Sequence, residues 1–273
     1  MELFVRTRSL LTAATTAALL VLPVGIASAA SDGAQVTVVH GVPGLTVDVY
    51  INGDLTLEDF EPGTVTDELT LPAGTYDVEI YAADAVPADG DPAIAGSATV
   101  TDGLNASIIA HLDADGAPTL GVFVNDITAV TAGDARLTVR HTAAAPAVDI
   151  LAGGAPLFEG VTNPNEGVVD VAAGDYDVAV NVAGTDTEVE AVPGFTLAEG
   201  VNTIVYAVGD AGDAGTFELL VQTVSGLHSS PDGVPAGSAG LASNNSGIAL
   251  TGAALLLLAG AAVGTRRRVT LDA

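Results

Sequence analysis

The 273-residue sequence contains no cysteine, no tryptophan and no lysine, and it uses methionine once. Each absence closes a route. Without cysteine there is neither a disulfide framework nor a thiolate metal site, so a folded chain must hold together by packing alone. Without tryptophan, a stacking platform for sugars lacks its best residue. Basic charge is confined to seven arginines against 34 acidic residues, a formal net charge of −27. Five of the seven, Arg6, Arg8, Arg266, Arg267 and Arg268, sit in the two terminal segments. Setting those segments aside removes only Glu2 and Asp272 among the acids, leaving 32 acids against Arg136 and Arg140. A surface of that sign repels polyanions and excludes nucleic acid as a partner. Two readings of the acidity stay open: solubility, including in a salty habitat, or cation binding by acidic loops.

Hydrophobic residues make up 49% of the chain, with 32 glycines and 13 prolines. That is enough apolar surface for one or two cores, cut by frequent turn residues into short strands. At the N-terminus, Arg6 and Arg8 precede an apolar stretch from Leu10 to Ile26 that exits through Ala27-Ser28-Ala29. Basic, apolar and small-residue regions in that order predict a secretory signal peptide over 1–30, cleaved after Ala29 or Ala30. Near the other end, Ile248 to Gly264 is uncharged and is followed by Thr265 and Arg266-Arg267-Arg268. Seventeen residues of helix span about 25 Å, the short limit for a hydrocarbon core. The arginines after them belong on the cytoplasmic side. The expectation is a transmembrane helix over 248–265, a basic cytoplasmic tail over 266–273, and the bulk of the chain outside the cell membrane. Residues 225–247, rich in Ser, Gly, Pro and Asn, read as a flexible stalk. Stalk, apolar helix and basic tail together resemble a Gram-positive cell-wall sorting signal. Ile248-Ala249-Leu250-Thr251-Gly252 resembles a degenerate LAxTG motif, which leaves wall attachment open beside simple anchoring. The lysine-free, Ala/Gly/Val/Asp-rich usage suggests a high-GC, actinobacterial source, with a haloarchaeal one as the alternative.

Between the ends the chain repeats itself. Val36-Thr37-Val38-Val39-His40 matches Leu137-Thr138-Val139-Arg140-His141 at an offset of 101, and Val47-Asp48-Val49 matches Val148-Asp149-Ile150 at the same offset. Ala73-Gly74-Thr75-Tyr76-Asp77-Val78 then pairs with Ala173-Gly174-Asp175-Tyr176-Asp177-Val178 at 100, and Asp102-Gly103-Leu104-Asn105 with Glu199-Gly200-Val201-Asn202 at 97. Slowly drifting offsets mean two copies of one domain separated by small loop changes. Within a copy, Val36, Val38 and His40 alternate with Thr37 and Val39, the period of a half-buried strand, and turn signals recur about every ten residues. The fold expected is all-β: two tandem antiparallel, Ig-like β-sandwich domains over 31–130 and 131–224.

His40-Gly41-Val42-Pro43, Val47-Asp48-Val49 and Leu71-Pro72-Ala73-Gly74-Thr75-Tyr76 together resemble the bacterial family called domain of unknown function 4397. The second copy departs from the pattern, with proline delayed to Pro146 and Ala172 in place of Pro72. The resemblance covers most of 34–224 and implies a secreted or surface β domain. It brings no activity and no catalytic residues.

The duplicated His40/Asp48 and His141/Asp149 invite a His/Asp site. Both histidines share the register of the apolar face, which favours a buried ring bonded to a carboxylate or backbone carbonyl. His111 and His228 have no counterparts. No nucleophile elbow, HExxH or phosphate-cradling loop is present. Asp113/Asp115 and Asp89/Asp91 place two carboxylates one residue apart, within reach of one Ca²⁺, although the later ligands of an EF-hand are missing. Tyr76 and Tyr176 follow turns, where a tyrosine buries its ring and bonds its hydroxyl across a sandwich corner. The expectation is a non-enzymatic surface protein without a cofactor, acting in adhesion, envelope structure or binding of an extracellular protein or glycan. The alternative is an envelope enzyme or metal-dependent hydrolase using the His/Asp pairs.

Overall fold

The computed structural model describes residues 33–228 except 86, 88, 89 and 214. The expected signal peptide, membrane helix, basic tail and most of the stalk, together with Asp89, lie outside the described residues. Among the described residues there is no α-helix, and no helix long and apolar enough to cross a membrane. The described residues form sixteen strands. The first eight are β1 (Ala34–His40), β2 (Val47–Ile51), β3 (Asp54–Phe60), β4 (Leu69–Leu71), β5 (Gly74–Ala82), β6 (Ile94–Val100), β7 (Asn105–Leu112) and β8 (Pro118–Val124). The next eight are β9 (Asp134–His141), β10 (Val148–Ala152), β11 (Ala155–Val161), β12 (Glu166–Ala172), β13 (Gly174–Val182), β14 (Glu188–Leu197), β15 (Asn202–Val208) and β16 (Glu218–Val224).

Each group of eight makes two four-stranded sheets, in the orders β4-β1-β7-β8 and β3-β2-β5-β6, then β12-β9-β15-β16 and β11-β10-β13-β14. Adding eight to every strand number of the first pair reproduces the second pair. One feature corrects the antiparallel expectation: β1 pairs with β7, and β9 with β15, in parallel. Period-two patterning fixes which residues face the core but leaves strand direction open.

Within the first sandwich, Val38 of β1 and Ala110 of β7 pack against Val49, Val78 and Ile80 of β2 and β5, and Val36 and Ile108 pack against Ala98 and Val100 of β6. The β2–β3 hairpin is closed by Asn52 and Gly53, at φ of 53° and 84°. Two consecutive left-handed residues are what a tight primed turn needs, and Asn-Gly supplies them at least cost. The matching turn in the second copy uses Gly153 and Gly154.

The opposite faces of β1 and β7 are buried as well. Val39 and Ile109 pack against Ile204, Tyr206, Val208 and Leu220 of β15 and β16. The sheets β4-β1-β7-β8 and β12-β9-β15-β16 therefore stack on each other, and the described residues form one compact unit. Every residue of β7 and β15 is buried. Fully burying a side chain such as Ile109 or Ile204 contributes roughly 1.5–3 kcal/mol. Residues 225–228, expected to begin the stalk, instead pack onto this unit: the Leu227 N–H donates to Gly200 O, and Leu227 O accepts from Val130 N–H.

Candidate functional site

The two His/Asp pairs have the same architecture in both copies. His40 ends β1 facing the core, and its Nε2–H donates to Leu45 O at 2.8 Å, tying the strand to the loop that follows. His141 does the same with Pro146 O at 2.9 Å. A carbonyl only accepts, so in each ring Nε2 carries the proton and Nδ1 is the bare nitrogen. Burial holds both histidines below the ordinary value, outweighing the raising effect of the carbonyl partners. His111 is lowered for the same reason, its Nδ1–H donating to Leu112 O.

The aspartates are engaged elsewhere. Asp48 lies opposite a β-bulge, where Val47 pairs with Phe60 and Val49 with Leu57 so that two residues of β3 face one of β2. The bulged Asp59 adopts φ of 51°, and its N–H donates to Asp48 Oδ1 at 2.9 Å. In the second copy Gly160, at φ of 65°, donates to Asp149 Oδ1, and Gly184 N–H donates to Oδ2. Those two amide donors, Gly184 first, keep the Asp149 carboxyl below its usual range. The duplicated carboxylate thus satisfies a backbone N–H that a bulge strips of its ladder partner. Neither histidine hydrogen-bonds its neighbouring aspartate. Asp48→Ala should therefore cost about 1–2 kcal/mol, the net contribution of a hydrogen bond to a buried carboxylate. For a unit of this size that lowers the melting temperature by roughly 2–8 °C. An unchanged melting temperature would show that the bulge does not depend on the carboxylate.

The acidic loops also serve as turns. Asp113 Oδ1 accepts from Asp115 N–H and Ala117 N–H, both at 2.9 Å, closing the β7–β8 connection. Asp91 is exposed. Among the described residues no three His, Asp or Glu side chains gather where they could hold a metal ion. Tyr76 donates its hydroxyl to Pro72 O at 2.8 Å and Tyr176 to Ala172 O, each four residues upstream at a strand corner.

The densest polar constellation is one that sequence reasoning did not single out, and it lies between the sandwiches. Arg140, fully buried, donates from Nε to Glu166, from one terminal nitrogen to the Tyr206 hydroxyl and from the other to Asn125 Oδ1, each at 2.8 Å. Its guanidinium also lies 4.5 Å from the centre of the Phe123 ring. Tyr206 passes its own proton to Gln222 Oε1, which also accepts from Ser107, while Gln222 Nε2 donates to Thr37. Asn125 continues the chain to Asn105 and Glu68. Nearby, Arg136 forms a two-point bond to Asp170 and an ion pair with Asp126. Burial raises the Asp126 carboxyl, but the Thr128 hydroxyl and amide donors and Arg136 outweigh it, and the net shift is downward. These arginines are the only basic side chains other than histidine among the described residues, and both are buried. The exposed surface of this unit is consequently acidic or neutral throughout.

Residues 34–151 match the model of a family described as "Domain of unknown function (DUF4397)", a span running from the start of β1 into β10. No curated protein matches the chain. Among solved structures, one similar chain is CBMbc, a family CBM26 module of Eubacterium rectale Amy13K in complex with maltoheptaose. It is 10% identical over 72% of this chain and 98% of its own, with a TM-score of 0.23. Another is a candidate cell adhesion protein from Bacteroides fragilis, 15% identical over 67% of this chain and 84% of its own, with a TM-score of 0.19.

Proposed function

We propose that this chain is a non-enzymatic binding protein of the cell surface, in which two β-sandwiches fused into one unit engage an extracellular protein or glycan. The reading rests on the use made of the duplicated pairs: in both copies the histidine is committed to a loop carbonyl and the aspartate to a bulge amide. A hydrolase built on these pairs would need the ring and the carboxylate to meet each other or a shared water, whereas each ring gives Nε2–H to a loop carbonyl and each carboxylate accepts from a bulge amide, so no ring–carboxylate bond forms. Burying both arginines favours a partner that presents neutral or basic groups, since an acidic one would meet only like charge. Export by residues 1–30 and retention by 248–265 belong to the same proposal.

The experiment is protease digestion of intact cells producing the full chain. Loss of epitopes within 31–224, with a cytosolic control protein left whole, is the expected result. Protection of those epitopes until the cells are lysed, or their recovery from the cytosolic fraction, rejects the placement.

A further inference from the structure

The two sandwiches share a topology but differ in how their open edges close. In the first, edge strands β6 and β8 approach closely: Leu120 of β8 lies so near Gly96 of β6 that a Cβ there would come within 2.8 Å of it. Val78 beneath is 3% exposed. In the second, strand pairing puts Val192 where the first copy has Gly96, because Val78 pairs with Gly96 and Val178 with Val192. Leu219 stands where Leu120 does, opposite Ala207 as Leu120 is opposite Ala110. A branched side chain on β14 keeps the two edges apart. A second replacement acts deeper in the core. Phe60 lies against the His40 ring at 5.6 Å, and Val161 takes its place in the second copy.

The consequence is a cavity of about 170 Å³ between β13–β14 and β15–β16, walled by Leu137, Val180, Phe195, Val205, Ala207 and other apolar side chains. Val178, Val192, Phe195 and Leu219 are half-buried and Val221 is exposed, so the space reaches solvent at this edge. Its walls are apolar apart from His141. That side chain is 1% exposed, and its Nδ1 has no hydrogen-bond partner. His40 Nδ1 is likewise unpartnered, but it sits against Phe60 in a filled core.

We propose that the second sandwich is a small-molecule site: the cavity takes an apolar ring bearing one hydroxyl, the size of a substituted phenol, and the hydroxyl donates to His141 Nδ1. The size follows from the volume, since a dry apolar cavity of about 150 Å³ suffices for benzene. The chemistry follows from the tautomer. With Nε2–H given to Pro146 O, Nδ1 offers only a lone pair, so the ligand must bring the proton. A mostly apolar cavity with one oriented polar atom is the usual form of a small-molecule pocket. This goes beyond the surface-binding reading and depends on neither the location of the chain nor its macromolecular partner.

The test is titration calorimetry of the purified full chain with 4-methylphenol and with toluene, which differ by the hydroxyl. One molecule of 4-methylphenol should bind per chain, about tenfold tighter than toluene. Ala207→Leu, which fills the cavity from β15, should abolish binding of both while the protein still melts cooperatively. If that variant does not fold, Val192→Phe at the half-buried rim carries the same expectation. Absence of 4-methylphenol binding to the unmodified chain overturns the site. Equal affinity for the two probes overturns the role of Nδ1, and undiminished binding by a folded cavity-filled variant puts the ligand elsewhere and overturns the assignment.

Discussion

Replacing Arg140 with methionine should destabilise the described unit by about 4 kcal/mol, which lowers its melting temperature by roughly 8–16 °C. Methionine keeps most of the stem volume, so the loss measures the guanidinium rather than a cavity. Three acceptors lose the arginine together: Glu166, the Tyr206 hydroxyl and Asn125 Oδ1, the last keeping only the Ser107 hydroxyl at 3.2 Å. Glu166 is a third exposed and can turn to water, which discounts its share. Tyr206 and Asn125 cannot, since they are 0% and 2% exposed. Tyr206 belongs to the second sandwich, while Asn125 follows β8 of the first and bonds back to Asn105. The same change therefore loosens the join between the two. Scanning calorimetry should show one transition for the unmodified chain and a broadened or split one for Arg140→Met. A loss below about 1 kcal/mol with a single sharp transition would mean that the apolar contacts of Ile109 and Ile204 hold the halves together without the network.

Arg140 also shows where sequence reading stopped. Alternation along Val36-Thr37-Val38-Val39-His40 and Leu137-Thr138-Val139-Arg140-His141 gives the right inward face, and the repeat offsets match the recurring topology. The same alternation marks Thr37, Thr138 and Arg140 as solvent-facing, because a polar residue on the second face of a strand reads the same whether it meets water or another sheet. Burial of both faces of β1, β7, β9 and β15 requires knowing that the two copies stack. One hint was in plain view: only Arg136 and Arg140 stand against 32 acids outside the terminal segments, and both fall on one strand. The duplicated His and Asp were legible as residues to be explained, yet their separate partners were not. The bulge that recruits Asp48 depends on a left-handed Asp59, which no motif announces. The cavity of the second sandwich was hidden in a comparison between copies, in Gly96 against Val192 and Phe60 against Val161.

The stability of the unit should fall as the pH drops from 7.5 to 5.5, and the three buried histidines should account for the fall. His40, His111 and His141 are 1%, 2% and 1% exposed, and burial lowers the pKa of each in the folded state. The unfolded chain titrates them near the ordinary value of about 6.5. A lowered folded value means that the unfolded state binds more protons between that value and 6.5. Stability is therefore complete above pH 6.5 and is lost as the pH falls toward the folded values. The slope is about 1.4 kcal/mol per pH unit for each histidine, and so at most about 4 where all three titrate together. The carbonyl partners temper the effect, and so does Asp113 near His111, whose charge also favours the protonated ring. Asp126 and Asp149 contribute little in this window, because both are shifted downward and titrate at still lower pH. Denaturant melts at pH 7.5, 6.5 and 5.5 give the slope, while the ring-proton NMR shifts of the native protein give the folded state directly. Stability that stays level across the window, or ring protons of His40 and His141 that titrate near 6.5 in the native protein, would show that these rings are open to water and that the strand-to-loop ties at Leu45 and Pro146 are not held closed.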